Sequence, residues 1–228
     1  MTRLPPAVLV MAKAPVPGQA KTRLGRHVGH DAAAELAAAG ILDTLDVCEQ
    51  VFPDPRLRHV ALTGDLAQAA RCDDLVRRLA GWTVHRQRGA GFADRLAQAH
   101  TDAALATGAP VVQIGMDTPH LPVEELADVA RRIGADNDAV LGPAADGGWW
   151  VLALTDHRDA ACLRDVVMST SRTYDDTLAA LQARGVQVAT AAVLRDVDTV
   201  DDAVLAAAAA PGSRFALRWF EVVDEETP

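Results

Sequence analysis

MAKAPVPGQAKTRL, residues 11–24, follows a short apolar run at residues 7–10 and precedes an alanine-rich segment. The apolar run is typical of a buried parallel strand, and the alanine-rich segment is typical of a helix. The stretch between them is therefore a turn-rich loop that carries three cations. Many α/β folds bind phosphate where a strand opens through such a loop into a helix. The residues of this loop predicted to bind phosphate are Lys13, Gly18, Lys21, Thr22 and Arg23.

The distribution of charge favours this interpretation over that of a solvated N-terminal loop. The first 30 residues contain five basic residues and no acidic residue, although the whole chain has a formal net charge of -9. Because these cations follow a buried strand instead of lying on the polar face of a helix, a role in binding is the better explanation.

Length and composition limit the class of protein. The 228 residues are 50% hydrophobic and 23% charged, which predicts one globular domain over residues 1–228, with the tail 212–228 unassigned. The acidic balance disfavours a nucleic acid or a membrane as a partner. Three widely spaced cysteines indicate neither a zinc site nor a disulfide framework, and no apolar run has the length of a signal peptide or a membrane span. We expect a cytoplasmic protein, and nothing in the sequence excludes an oligomer.

Strand-like and helix-like segments alternate along most of the chain. Apolar, strand-like runs occupy residues 59–62, 82–87, 111–114, 139–141, 149–154 and 186–189. Segments with helical periodicity occupy residues 31–50, 66–79, 94–107, 124–133, 174–184 and 199–209. This alternation predicts an α/β protein with three α/β/α layers and a mainly parallel sheet. In such sheets, ligands bind beyond the carboxyl ends of the strands.

Two aspartates stand where a ligand site is expected. Asp117 directly follows one predicted strand, and Asp198 lies in the run LRDVDT before the last predicted helix. Carboxylates that converge from strand ends suit Mg²⁺ or Mn²⁺, which take hard oxygen ligands and share them with phosphates. The alternatives are structural, with Asp117 as a turn residue or a helix cap and Asp198 as a helix N-cap. Both interpretations stay open at this stage, and a cap can also be a ligand.

The glycine-rich segment GPAADGG at residues 142–148 is another candidate part of the site. Gly147 and Gly148 would let the backbone approach a ligand closely, and Asp146 beside them could accept a hydrogen bond from a hydroxyl. Trp149 follows, and such a residue usually packs against a sheet, although at an edge it can stack on a ring. The chain has no Gly-x-Ser-x-Gly, Walker or dinucleotide glycine motif, so serine hydrolysis and hydride transfer have no support.

Four segments together resemble a known family. MAKAPVPGQAKTRL, GMDTPHLP, GPAADGGWW and LRDVDTVDD match, in order and approximate spacing, GT-A-like glycosyltransferases of the arsenosugar-biosynthesis type. That family is related to the 2-phospholactate and phosphoenolpyruvate guanylyltransferases. The resemblance covers roughly residues 7–205 and implies a nucleotide-diphospho-sugar transferase fold.

The resemblance also implies roles for individual residues. Asp117 and Asp198 are expected to hold Mg²⁺ or Mn²⁺, and the first loop is expected to bind a nucleotide. Arg95 matches a family arginine and joins the residues expected to bind the nucleotide. The residues expected to line the acceptor side are Asp146, Gly147, Gly148 and Trp149. The departures from the family pattern fall mainly on that side, where tryptophan replaces a tyrosine.

These roles predict a metal-dependent, glycosyltransferase-like enzyme that uses a nucleoside diphosphate sugar and a small-molecule acceptor. Its predicted catalytic residues are Asp117, Asp146 and Lys21. An alternative is a nucleotidyltransferase that joins a nucleoside triphosphate to a phosphorylated small acid, for which Arg88 and Arg95 would be spare cations. A second alternative is a non-catalytic nucleotide-binding protein, although such a protein has little need for both metal carboxylates.

Overall fold

A computed structural model describes residues 4–135 and 137–225. Within these ranges, seven strands form one sheet in the order β3-β2-β1-β4-β6-β5-β7. The strands are β1 (Ala7–Lys13), β2 (Arg58–Thr63), β3 (Thr83–Arg86), β4 (Val111–Gly115), β5 (Ala139–Pro143), β6 (Trp149–Leu154) and β7 (Val188–Thr190).

Helices cover both faces of the sheet. The α-helices of the described ranges are α1 (Thr22–Val28), α2 (His30–Val51), α3 (Cys72–Leu79), α4 (Phe92–Thr107), α5 (Val123–Arg132), α6 (Thr173–Ala183), α7 (Val200–Ala209) and α8 (Arg214–Glu225). Apolar side chains of α2, α3 and α5 pack on one face. Those of α4, α6 and the 3-10 segment His157–Asp165 pack on the other. The predicted α/β fold, with three α/β/α layers and a mainly parallel sheet, is therefore confirmed.

Strand β1 is the most completely buried element of the sheet. Val8 and Val10 face the layer of α2, whereas Leu9 and Met11 face the layer of α4. Each of these side chains contributes on the order of 1.5–3 kcal/mol through its removal from water. Parallel pairing with β2 and β4 fixes the strand on both sides. The first loop therefore begins from a rigid position at the middle of the sheet.

Strand β6 runs against the other strands and brings a second loop to the same edge. It pairs antiparallel with both β4 and β5, with Val151 opposite Ile114 and Gly142. The start of β6 thus lies beside the carboxyl ends of its two neighbours. The glycine-rich segment that joins β5 to β6 is placed at the edge from which the first loop also emerges.

Two elements differ from the sequence-based expectation. The helix predicted over residues 66–79 is interrupted, because Leu66–Gln68 is a 3-10 segment and Arg71 has a left-handed backbone with φ 53°. The unassigned tail forms α8 up to residue 225, and residues 226–228 lie outside the described residues. Buried Asp43 of α2 accepts hydrogen bonds from the backbone N–H groups of Arg214 and Phe215 and so fixes the start of α8.

No helix within the described ranges is both long enough and apolar enough to cross a membrane. The expectations of one domain, of a cytoplasmic location and of a possible oligomer stay predictions.

A buried histidine makes the stability of the fold depend on pH. His100 of α4 is fully buried, and its Nδ1 lies 2.9 Å from Oε1 of Gln113 in β4. Burial lowers the pKa of His100 to about 4. The unfolded chain binds this proton near pH 6.5, so the stabilisation is complete above about pH 6.5 and is lost as the pH falls through about 4.

We expect His100→Asn to reduce this pH dependence. Between pH 7 and pH 4, the wild-type protein should lose about 3 kcal/mol of unfolding free energy through this group, from about 1.4 kcal/mol per pKa unit. The variant should lose correspondingly less, as measured by urea unfolding at both pH values. His27→Asn, at an exposed position, is the control and should behave as the wild type. Equal losses in the wild-type protein and His100→Asn would contradict the assignment.

Candidate active site

The ammonium of Lys21 lies at the centre of the site. Its Nζ contacts Asp117 Oδ1 and the Val197 carbonyl oxygen, and it lies 3.4 Å from Asp198 Oδ1. The side chain of Lys21 is only 8% exposed, whereas those of Asp117 and Asp198 are 42% and 48% exposed. The structure thus brings together three of the residues that the sequence nominates, from three segments far apart in the chain.

The backbone and charge of Lys21 both reflect this position. Lys21 precedes α1 with φ 46° and ψ 44°, a left-handed conformation that is unusual for a residue with a Cβ atom. Burial disfavours the charged form of the side chain, but the charges of Asp117 and Asp198 outweigh it. The pKa of Lys21 is therefore raised above its usual value. The ammonium stays charged at neutral pH.

Asp198 is not the N-cap of the last predicted helix. Thr199 is the N-cap of α7, and its hydroxyl and the Asp202 carboxylate form a reciprocal capping box. The Asp198 carboxylate faces Lys21 and lies 3.5 Å from Nη1 of Arg23. Asp117 does not cap a helix either, because α5 begins after Pro122.

Asp196 is a third carboxylate of the site, and it is not among the site residues predicted from the sequence. Its Oδ1 accepts a hydrogen bond of 3.1 Å from the Thr118 hydroxyl. Burial and the negative charges of Asp117 and Asp146 raise the pKa of Asp196 to about 6, against the opposing charge of Lys21. The sequence did contain a signal for Asp196 as a site residue, because it lies two residues before Asp198 in the run LRDVDT.

The turn that carries Asp146 is built differently from the expectation. Asp146 Oδ1 accepts a hydrogen bond of 2.8 Å from the Gly148 N–H, which closes the turn. Gly147 has φ +90°, and a Cβ atom there would overlap the backbone of Ser171. The close approach that Gly147 permits is therefore to the protein's own chain, and the Tyr174 N–H also donates to the Gly147 carbonyl. The contact with Ser171 is thus sufficient to require a glycine at this position, and the predicted role of Gly147 beside a ligand stays a prediction.

The rest of the first loop is partly open to solvent, because Pro17, Gly18 and Gln19 are exposed whereas Ala14, Val16 and Ala20 are buried. Gly18 and Thr22 are exposed, and Gly18 has φ +72°. The Lys13 ammonium donates to the Gln19 carbonyl oxygen at 2.7 Å. Arg23 is exposed apart from its contact with Asp198. Lys13 ends β1, and Thr22 and Arg23 begin α1, so these residues flank the loop that carries Gly18 and Lys21. Their predicted roles in phosphate binding stay predictions.

Arg88 and Arg95, which lie outside the loop, differ in whether their side chains already have a hydrogen-bond partner among the described residues. Arg88 forms two bonds of 2.9 Å to the Asp102 carboxylate, so it is not the spare cation that the sequence suggests. Arg95 has a guanidinium 5.8 Å from the centre of the Phe92 ring. Buried Nε of Arg95 and Nε1 of Trp149 have no hydrogen-bond partner within the described residues. Their predicted roles toward nucleotide and acceptor stay predictions.

The donor chemistry of the site fits a hard divalent cation under one condition. Asp117 and Asp198 supply carboxylate oxygens, and both side chains have exposed surface through which an ion can approach. The Lys21 ammonium contacts Oδ1 of both carboxylates, so a cation that binds these two oxygens must displace it. The described residues contain no group of three or more His, Cys, Asp or Glu side chains arranged to hold a metal ion. The predicted Mg²⁺ or Mn²⁺ stays a prediction.

Comparison with known proteins places the fold. A family model described as "Uncharacterized protein conserved in bacteria (DUF2064)" matches residues 47–170, slightly more than half of the chain. No curated protein matches the sequence. A crystal structure from Desulfovibrio desulfuricans G20, provisionally described as a nucleotide-diphospho-sugar transferase, superimposes with a TM-score of 0.76 at 24% identity, covering 96% of this chain and 94% of that chain.

More distant structures have the same fold. A cytidylyltransferase from Leptospira borgpetersenii serovar Hardjo-bovis has a TM-score of 0.54 at 14% identity, over 98% of this chain and 94% of that chain. CMP:2-keto-3-deoxy-manno-octonic acid synthetase, in complex with CTP, has a TM-score of 0.55 at 12% identity, over 91% and 98%. The fold of nucleotide-diphospho-sugar transferases and nucleotidyltransferases is thereby confirmed.

The turn at Gly147 offers a test of how the acceptor side is built. Gly147→Ala should destabilise the protein by about 3 kcal/mol, because the new methyl group adds a backbone clash to an unfavourable φ. Gly185→Ala is a matched control, with φ +78° but no atom within 4 Å of the new Cβ, and should cost about 1 kcal/mol. Urea unfolding measures both. Equal costs would show that the Ser171 contact is not tight.

Proposed function

Because the chain belongs to the bacterial DUF2064 family and has the fold of nucleotide-diphospho-sugar transferases, we propose that it is a metal-dependent transferase that uses a nucleoside diphosphate sugar and a small-molecule acceptor. The observation that carries this proposal is the convergence of Lys21, Asp117 and Asp198 at the carboxyl edge of the sheet. Cations and carboxylates together at such an edge are suited to a diphosphate and its counter-ion.

On the donor side, the chain supplies charge of both signs. Asp117 and Asp198 would hold Mg²⁺ or Mn²⁺, which when bound would neutralise charge on the diphosphate leaving group. Lys21 and Arg23 would bind the same phosphates, the guanidinium with two parallel hydrogen bonds where the geometry allows. Exposed Gly18 and Thr22, beside the first turn of α1, would leave room for the phosphates to approach the backbone.

On the acceptor side, Asp146 is the candidate base. One of its oxygens accepts the Gly148 N–H and orients the carboxylate, which leaves the other oxygen for an acceptor hydroxyl. The hydroxyl oxygen would form a bond to the anomeric carbon as the bond from that carbon to the diphosphate breaks. The nucleoside diphosphate would leave with the electron pair, and the hydroxyl proton would pass to Asp146. Trp149, which begins β6 at this edge, would line the acceptor side.

A second candidate is nucleotidyl transfer at the same site. A relative in fold, CMP:2-keto-3-deoxy-manno-octonic acid synthetase, is known in complex with CTP. In this reaction an acceptor oxygen would attack the α-phosphorus of a nucleoside triphosphate, and pyrophosphate would leave. Arg95, whose buried Nε has no partner within the described residues, would then be available for a phosphorylated acid.

A thermal-shift panel distinguishes the two reactions. Nucleoside diphosphate sugars and nucleoside triphosphates would each be tested with and without Mn²⁺. For the correct donor at about 100 times its dissociation constant, we expect stabilisation of about 2.7 kcal/mol, or roughly 5–10 °C in Tm. A shift with a nucleotide sugar that needs Mn²⁺ supports sugar transfer. A shift with triphosphates alone, with pyrophosphate release on adding phosphoenolpyruvate, supports nucleotidyl transfer, and no metal-dependent shift with either class would refute both.

Asp117→Asn tests the metal side of the proposal. Loss of one carboxylate ligand should weaken Mn²⁺-dependent nucleotide binding by about 10–100-fold, measured by calorimetric titration. Asp73→Asn, on the exposed surface of α3, is the matched control and should bind as the wild type does. Circular dichroism would verify that both variants are folded. Unchanged binding by a folded Asp117→Asn would remove this residue from the site.

A further inference from the structure

Lys21 has no hydrogen-bond donor to spare for a phosphate. An ammonium has three N–H donors and no acceptor. In the structure, Nζ has three oxygen neighbours: Asp117 Oδ1, the Val197 carbonyl oxygen and, at 3.4 Å, Asp198 Oδ1. A phosphate can therefore be bound by Lys21 only after the ammonium gives up at least one of these contacts.

The residue type at this position is unusual for this chain. The complete sequence contains two lysines, Lys13 and Lys21, among 22 basic residues. Arginines make the other ion pairs that we find within the described residues, including that of Arg23 with Asp198. A guanidinium is a planar fork suited to one carboxylate, whereas an ammonium is a compact point charge. The ammonium of Lys21 can therefore contact two carboxylates at once, as a small cation can.

The ammonium contacts one oxygen, Oδ1, of each of the two carboxylates that a divalent cation would need. Asp117 and Asp198 together carry a charge of -2, which Lys21 neutralises by half. A divalent cation would neutralise it completely and could approach through the exposed surface of both carboxylates. A divalent cation bound to these carboxylates would lie close to the ammonium, and the two positive charges would repel each other. Each cation therefore weakens the binding of the other.

We propose that Lys21 is an internal counter-ion that exchanges with a divalent cation. Without the cation, the ammonium holds Asp117 and Asp198 in place. When the cation takes these carboxylates, the ammonium is released toward solvent, where it becomes a donor for phosphate. This exchange rests on the proposed function and explains how one lysine can be both a partner of the metal carboxylates and a phosphate ligand.

The backbone around Lys21 is compatible with such a movement. The left-handed conformation of Lys21 is unfavourable for a residue with a Cβ atom, and it is maintained while the side chain is anchored. Exposed Gly18 precedes it and Thr22 and Arg23 follow it on the surface. The Lys21 carbonyl oxygen accepts a hydrogen bond from the Gly25 N–H at 2.8 Å, so the side chain can move while its backbone stays bonded to α1.

Direct metal binding tests the exchange without any measurement of activity. Free Mn²⁺ would be titrated into the nucleotide-free protein and followed by electron paramagnetic resonance. Lys21→Met removes the competing charge and should tighten Mn²⁺ binding about tenfold, within the usual 5–150-fold range of coupled binding. Arg26→Met, which removes an exposed cation of α1 that has no assigned role in the site, should leave the affinity unchanged. Adding Asp117→Asn to Lys21→Met should abolish the gain.

A second measurement uses the wild-type protein and so does not depend on the folding of a variant. Acetic anhydride reacts with exposed amines, and mass spectrometry can follow Lys13 and Lys21 separately because the chain has no other lysine. Without metal, buried Lys21 should react much more slowly than Lys13. Saturating Mn²⁺ alone should raise the ratio of the Lys21 rate to the Lys13 rate about tenfold, by the same coupling.

The outcomes separate the exchange from the proposed function. If Mn²⁺ binds but Lys21→Met does not bind it more tightly and Lys21 stays protected, the exchange is wrong while a metal-dependent transferase remains supported. If neither the wild-type protein nor Lys21→Met binds Mn²⁺, the exchange and the metal dependence both fail. Tighter binding by Lys21→Met together with metal-induced reactivity of Lys21 supports the exchange.

Discussion

The burial of a single ammonium group joins parts of this protein that are far apart in sequence. Lys21 comes from the loop after β1, Asp117 follows β4, and Val197 and Asp198 precede α7. A buried charge is costly unless it is paired and hydrogen-bonded, so Lys21 can be buried only when all three segments are docked. The Val197 N–H also donates to the Asp117 carbonyl oxygen at 2.9 Å, which holds the two acidic segments together. The site is therefore assembled by the same interactions that complete this edge of the fold.

The sequence predicts the architecture well, because its signals are local. Apolar runs such as that of β1 and the helices between them can be read from a few residues at a time. It also predicts that Lys21, Asp117 and Asp198 meet, since parallel strands end at one edge. The choice between cap and site residue for Asp198 depended on its neighbours. Thr199 and Asp202 have the spacing of a capping box, a local signal that the sequence-based interpretation did not use and that identifies Thr199 as the cap.

Other features could not be predicted because they depend on tertiary contacts. Gly147 has the signature of a residue beside a ligand, but its missing side chain is required by the approach of Ser171, 24 residues later in the chain. Helix α8 is a similar case, because its start is fixed by Asp43 on α2. The position of Asp196 relative to Thr118 likewise arises from the packing of two loops. Sequence spacing alone contains none of these distances.

The carboxylates and the cationic groups of the site are held with different rigidity. Asp117 lies two residues beyond the end of β4, and its carbonyl oxygen accepts a hydrogen bond from the Val197 N–H. The cationic loop is anchored near its start, where the Ala14 N–H donates to the Thr63 carbonyl, and its later part is exposed around Gly18. A rigid set of carboxylates presents preorganised ligands to a cation, whereas a loop with exposed cations can adjust to the phosphates that arrive with it. The Lys21 ammonium links the rigid carboxylates to the more adjustable loop. Because the loop can adjust, the ammonium is the group of the site whose position can change.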